Sequence, residues 1–199
     1  MTRPELIAPI RAALAHPGSA SSDFDLNPDV RLPAGRKLRP AAVLVPFLEV
    51  DGQLRVILTK RSSALKHHPG QIAFPGGKVD GDETVEAAAL REAHEEIGLR
   101  PENVDVFGIL PSHETVTSFT VTPILGRVRA AFDPNPEAGE VAEVFSVPFD
   151  HLRDPGRFTV EGRMWQGTKR RYYTVPYGPY YIWGATARIL RALAERVST

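Results

Sequence analysis

Cysteine is absent from this chain. Disulfides and thiolate chemistry are therefore excluded, and cysteine usage says nothing about the redox compartment. Net charge is lacking too, with 24 basic residues against 24 acidic ones and a formal total of +0. Nothing indicates bulk electrostatic attraction to nucleic acid or to a membrane surface. No apolar run approaches the roughly 18 residues that a spanning helix needs. The opening MTRPELIAPIRAALAHPG has no continuous apolar segment with a small-residue cleavage site, so a signal peptide is not expected. The ending RVST is not a peroxisomal Ser-Lys-Leu address. Cytoplasm is the default expectation. Internal repeats and a second compositional regime are also missing.

What is present suits one globular domain: 199 residues, 42% hydrophobic and 24% charged, enough for a sizeable core. Leu6, Ile7, Ile10 and Leu14 recur at helical spacing over residues 3–15. Residues 17–40, rich in Pro, Gly, Ser and Asp, read as a loop. Segments 41–50 and 53–61 read as strands joined by an Asp51-Gly52 turn. Further strands are expected near 104–110, 118–129, 141–147 and 170–176, with a short helix near 149–153. A hairpin turn is expected at Gly162 or Gly167, and a final helix over 181–196. That helix would bury Ile182, Ala185, Ile189, Leu190 and Leu193. The pattern is α/β: a mixed sheet clasped between helices.

The run GKVDGDETVEAAALREAHEEIGL, residues 77–99, carries the chemistry. A Gly-rich turn precedes a helix on which Glu92 and Glu96 are neighbours, roughly 40° apart in projection, with Val85 between them. The apolar face of Val85, Ala89, Leu90, Ala93 and Ile97 begins at that seam, whereas a solvated acidic face would point away from it. Two like charges at a partly buried edge call for a cation, and hard carboxylate oxygens suit magnesium or manganese. Glu95, about 60° from Glu92, completes a second metal site or orients water. Arg91 stands four residues before Glu95, where a bidentate pair would hold that carboxylate; direct phosphate contact is the alternative. Glu83 binds metal or anchors the loop. Gly76 and Gly77 let the backbone turn and approach closely, and the Gly77 carbonyl either reaches the metal or only turns.

This run resembles the Nudix box at every fixed position: Gly77, Glu83, Arg91, Glu92, Ala93, Glu95, Glu96, Gly98 and Leu99. Directly upstream, LTKRSSALKHHPGQIAFPGG (58–77) looks like the extra signature of the coenzyme A pyrophosphatase branch. TVTSFTVTPILG (115–126) and IWGATARIL (182–190) look like that branch as well. The resemblance spans roughly residues 37–190, taken as the hydrolase domain; 1–36 are read as part of the same unit and 191–199 as the end of the last helix. It implies an α/β/α sandwich with a mixed β-sheet. It also implies Mg2+- or Mn2+-dependent hydrolysis of coenzyme A, or a derivative, to 4′-phosphopantetheine and adenosine 3′,5′-bisphosphate. Another nucleoside diphosphate derivative, such as ADP-ribose or NADH, is the same-fold alternative. An idle ligand sensor would usually have lost a box carboxylate or the Arg, and none is lost here.

The reaction is attack of water on one phosphorus, with a carboxylate taking the proton. Glu92, Glu95, Glu114 and Glu140 all remain open for that role. Substrate recognition falls to Arg61, Lys66, Gln71 and Gly76. Lys60, Arg61, Lys66, His67 and His68 form a local basic cluster suited to phosphate. Phe74 reads as a core or loop anchor rather than a stacking ring, and His16, His113 and His151 as structural. The aromatic stretch 171–183 either walls a channel, packs the core or forms a seam in a homodimer. The partner expected is a small molecule, with no nucleic acid and no membrane.

Overall fold

The computed structural model describes residues 6–16, 18–30, 35–65, 68–165 and 167–198. In chain order the elements are α1 (Ala8–Leu14), β1 (Ser21–Ser22), β2 (Arg39–Val50), β3 (Gln53–Arg61), β4 (Ile72–Ala73) and β5 (Gly76–Lys78). Then follow α2 (Val85–Ile97), β6 (Val104–Ile109), β7 (His113–Glu114), β8 (Phe119–Val128), β9 (Val141–Pro148) and α3 (Phe149–Leu152). A separate hairpin, β10 (Thr159–Trp165) and β11 (Thr168–Thr174), precedes α4 (Gly184–Val197).

Nine strands form one mixed sheet in which β2 and β8 lie parallel at the centre. Both centre strands change their outer partner midway. β2 pairs with β5 over Ala41–Val43 and with β3 over Phe47–Val50. β8 pairs with β7 over Thr120–Val121 and with β6 from Ile124 onward. Proline stands at each changeover, Pro46 in β2 and Pro123 in β8. Neither can donate to a ladder, so pairing breaks there. The opening beside β2 admits the β4–β5 segment that approaches α2.

Alternation along β2 sends Ala42 and Leu44 to one face and Val45 and Phe47 to the other. Helix α2 covers the first face through Ala88, Ala89, Ala93 and Ile97. Helices α1, α3 and α4 cover the second with Ile10, Leu152, Leu190 and Leu193. Burial on both faces explains why β2 reads as a continuous apolar run. This is a three-layer α/β/α sandwich.

The Asp51-Gly52 turn forms as expected, both residues at positive φ (50° and 75°), the type I′ signature. Several expectations shift. Residues 17–40 contain β1, which pairs in parallel with β7. The hairpin turns at Gly167 (φ 76°) rather than Gly162, which lies inside β10 opposite Arg171. The last helix starts at Gly184, because Trp183 is extended and bridges to Thr174. Thr186 and Ala187, not Ala185, are the buried residues of its first turn, and the Thr186 hydroxyl donates to the Ile72 carbonyl at 3.0 Å.

Candidate active site

Helix α2 is bounded by its own chemistry. The Thr84 hydroxyl accepts the Ala87 amide at 3.1 Å, and Gly98 closes the helix in the left-handed conformation at φ 71°. The carbonyls of Glu96 and Ile97 accept the amides of Glu137 and Asn135, so the loop before β9 wraps this helix end. That brings Glu140 into electrostatic contact with Glu92 and Glu96.

Strand β5 is pressed against the two glutamates. The Gly76 amide donates to Glu96 Oε2 at 3.1 Å. A side chain on Gly76 would meet the Ala42 carbonyl oxygen at 2.4 Å, and its φ of 155° disfavours anything but glycine. A side chain on Gly77 would lie 2.4 Å from Glu92 Oε1. A side chain at position 77 would therefore displace the Glu92 carboxylate, the movable end of that residue, from its present place.

Burial sets the electrostatics. Glu96 is 5% exposed, and its carboxyl is pushed up to about 7, first by burial and then by the charges of Glu92 and Glu140. The Gly76 amide and Arg61 oppose that rise. Glu92 is raised as well, by burial first, with Glu95 and Glu140 adding to it and Arg91 working against it. An uncompensated buried carboxylate pair is costly, and a cation restores the balance.

Arg91 is the hub of the box. Its guanidinium grips Glu83 with two hydrogen bonds (2.7 and 3.2 Å), reaches Glu92 at 3.0 Å and Glu95 at 3.1 Å, and donates to the Lys78 carbonyl at 3.1 Å. The bidentate partner is therefore Glu83 and not Glu95. Glu83 also accepts the Asp80 amide at 2.8 Å, so it anchors the loop, and these bonds hold its carboxyl below the usual range. Glu95 points outward, its side chain 57% exposed, with Arg91 as its partner.

Arg61 closes β3 at a register shift against β9, a bulge of the kind that re-aims a side chain beside a site. Its Nε is buried with no hydrogen-bond partner among the described residues, and its charge acts on Glu96. Gln71 accepts the Arg61 amide through its carbonyl at 2.9 Å. Lys66 and His67 lie outside the described residues. Glu114 is ion-paired with Arg36.

On the α4 side of the sheet a cavity of about 350 Å³ adjoins this region, with Gln71, Phe74 and Val43 in its wall. Val43 is the register partner of Gly76, so cavity and carboxylate site share a backbone. Phe74 is a core residue that also faces this space. The aromatic stretch contributes Tyr172 and Trp183 to the wall, and Tyr180 instead stacks on Phe145 at 3.6 Å. His113 is fully buried between Ser21 (2.9 Å) and Asp23 (3.1 Å), and His151 Nε2 donates to the Pro176 carbonyl at 3.0 Å.

Arg163 and Arg170, also in the cavity wall, were not signalled by any motif. The available signal was the register of the hairpin, legible once its turn is placed at Gly167.

Among the described residues no group of three or more His, Asp or Glu side chains is arranged to hold a metal. The buried, charge-raised pair of Glu92 and Glu96 has the hard oxygen donors that suit a divalent cation such as magnesium. Among the same residues, no helix is long and apolar enough to cross a membrane.

A family model described as NUDIX domain matches residues 37–166. A protein named "Uncharacterized Nudix hydrolase NudL" from Enterobacter sp. (strain 638) is 41% identical over 160 residues, covering 80% of this chain and 83% of the relative. Its namesake from Pectobacterium atrosepticum is 38% identical over 184 residues, 90% of this chain and 95% of the relative. Among solved structures, a MutT/nudix family protein from Enterococcus faecalis matches with a TM-score of 0.52 at 19% identity, over 85% of this chain and 66% of that one. At that identity the likeness speaks for the fold alone.

Proposed function

This chain belongs to the Nudix hydrolase family and is a hydrolase of phosphorus anhydrides, and on that premise we propose that its substrate is coenzyme A or a derivative. The products are 4′-phosphopantetheine and adenosine 3′,5′-bisphosphate. The observation that carries the reaction class is Glu96, a buried carboxylate beside a second one with backbone amide and glycine packed against them. The substrate reading is supported by the segment 58–77, because Arg61 and Gly76, from its two ends, both act on that carboxylate.

Glu92, Glu96 and the Gly77 carbonyl would hold the ion, with Glu95 at the outer edge of the set. A bound Mg2+ or Mn2+ supplies the charge that lowers the pKa of water and neutralises phosphate oxygens. Water attacks one phosphorus, a P–O bond forms, the bridging P–O bond breaks and the displaced phosphate carries away the electron pair. In this reading Glu92, Glu95 or Glu140 accepts the water proton. Arg91 acts through the carboxylates it positions. Arg61, with a buried donor and a charge that acts on Glu96, contacts the diphosphate, and Gln71, Lys66 and Gly76 complete the substrate-binding set. The cytoplasm, where coenzyme A is plentiful, is the location this reading implies.

Incubation with coenzyme A and Mg2+, followed by mass identification of products, tests the reading. The two named products are expected. Intact coenzyme A alongside hydrolysed ADP-ribose or NADH would overturn the substrate and keep the reaction class.

A further inference from the structure

The β10–β11 hairpin stands outside the main sheet as a two-stranded ribbon, and such ribbons are marginal by themselves. Its two outer edges are not alike. Arg171 gives its backbone N–H to Asn27 Oδ1 at 2.8 Å, and its carbonyl accepts Asn27 Nδ2 at 2.9 Å. Asn27 thereby closes the β11 edge at its middle. Because Arg171 turns both backbone groups away from β10, its register partner Gly162 turns both of its own away from β11. Val160 and Met164, two positions to either side, point theirs the same way. Among the described residues no backbone bond is made from that edge. Neither proline nor a bulge protects it: the strand reads TVEGRMW, and its pairing with β11 runs without a register shift. Val160 and Met164 share a face with Gly162 and are 49% and 67% exposed. The opposite face carries Glu161 and Arg163, both exposed, of opposite sign and one on each side of Gly162.

We propose that β10 pairs with β10 of a second copy of this chain, antiparallel about a two-fold axis through Gly162. Gly162 then meets its own counterpart, where the lack of a side chain lets two backbones approach. Val160 exchanges backbone hydrogen bonds with Met164 of the partner subunit, and the two apolar side chains cover each other. Glu161 falls opposite the partner's Arg163, and by symmetry Arg163 falls opposite the partner's Glu161. These are the close, non-hydrogen-bonded pairs of the new ladder, where opposite charges attract and like charges repel. An axis through Glu161 or through Arg163 would set that residue against its own copy, so charge selects Gly162. The edge charges therefore do not keep a second copy away; they fix its register. Within the chain Glu161 accepts the Tyr181 hydroxyl at 2.8 Å, and Arg163 lies 4.5 Å over the Trp183 ring. Neither contact supplies an opposite charge, which the second copy does. The proposal is independent of which anhydride the enzyme cleaves.

Sedimentation velocity on the full chain, from about 1 µM to about 100 µM, tests this. Wild type should pass from monomer to dimer across that range, as suits an interface at the small end of the specific ones. Glu161→Arg and Arg163→Glu each set like charges opposite each other at two symmetric places, and each should weaken the dimer by on the order of 10-fold or more. The double variant Glu161→Arg/Arg163→Glu should regain it. An equimolar mixture of the two single variants should also dimerise, because each supplies the charge that the other needs. Gly162→Pro removes an N–H that the hairpin itself leaves unused, and should abolish the dimer with circular dichroism unchanged. It carries the test should a charge variant not fold. Wild type that stays monomeric throughout, or a dimer indifferent to these substitutions, overturns the proposal. So does a dimer weakened in the single variants that neither the double variant nor the mixture restores.

Discussion

Replacing Glu96 by Gln should stabilise the metal-free protein above neutral pH while disabling it. The carboxyl is pushed from 4.5 up to about 7, chiefly by burial. A unit of pKa is worth about 1.4 kcal/mol, so holding the ionised form in the fold costs about 3 kcal/mol. The sign follows from the raised value. Below 4.5 the group is protonated in both folded and unfolded chains, so the cost is absent; it grows as pH rises and is complete above about 7. Gln has no charge to bury and keeps an oxygen to accept the Gly76 amide. For a chain of this size 1 kcal/mol moves the melting temperature by about 2–4 °C, so the gain at pH 8 should be about 6–12 °C. Calorimetric melts in chelator, at pH 5 and pH 8, read the difference between variant and wild type and cancel titrations common to both. The variant should exceed wild type at pH 5 by only about a quarter of the full gain, and at pH 8 by all of it. Mg2+ should then raise the melting temperature of wild type more than that of the variant. Turnover should fall by on the order of 10² or more. Parallel melting curves from pH 5 to pH 8 would refute the electrostatic reasoning, and near-normal turnover at saturating Mg2+ would refute the ligand assignment.

Gly77→Ala should reduce turnover on the order of 10- to 100-fold while circular dichroism stays native, since its Cβ would intrude on Glu92 Oε1 at 2.4 Å; full activity would mean that β5 yields freely. Arg91→Lys should lose the two-point grip on Glu83 and its bonds to Glu92 and Glu95. We expect the Mg2+ concentration for half-maximal activity to rise about 10-fold or more, and an unchanged Mg2+ titration would confine Arg91 to loop structure. Hydrolysis in water carrying heavy oxygen should label one product only, because a fixed pose exposes a single phosphorus. Label in both products by mass spectrometry would indicate two binding registers.

Local chemistry made much of this protein legible from its sequence. The β2–β3 turn follows from Asp51-Gly52, because turns act over a few residues. The spacing of Glu92, Glu96 and Gly77 likewise specified the carboxylate site. Strands β4, β5 and β7, two or three residues long, escaped because periodicity needs more positions than they offer. Arg91 does pair with Glu95, by a single contact at 3.1 Å, but its two-point partner differs from expectation for a related reason. Spacing along the helix favours Glu95, whereas the loop returns Glu83 to the guanidinium with two oxygens aligned.

What the sequence determined by itself is the inventory: a box helix, its carboxylates, a glycine pair and an α/β pattern. Tertiary structure alone decided which of those carboxylates would be buried, because desolvation depends on what the rest of the chain places over a side chain. It bared Glu95 to solvent and sank Glu96 beneath Gly76, with no difference in residue type to announce it. It also faced Arg163 and Arg170 across a hairpin beside a cavity whose floor comes from residues some ninety positions earlier, such as Gln71 and Phe74. Contacts of that range leave no local pattern, since each partner is compatible by itself with an ordinary surface strand.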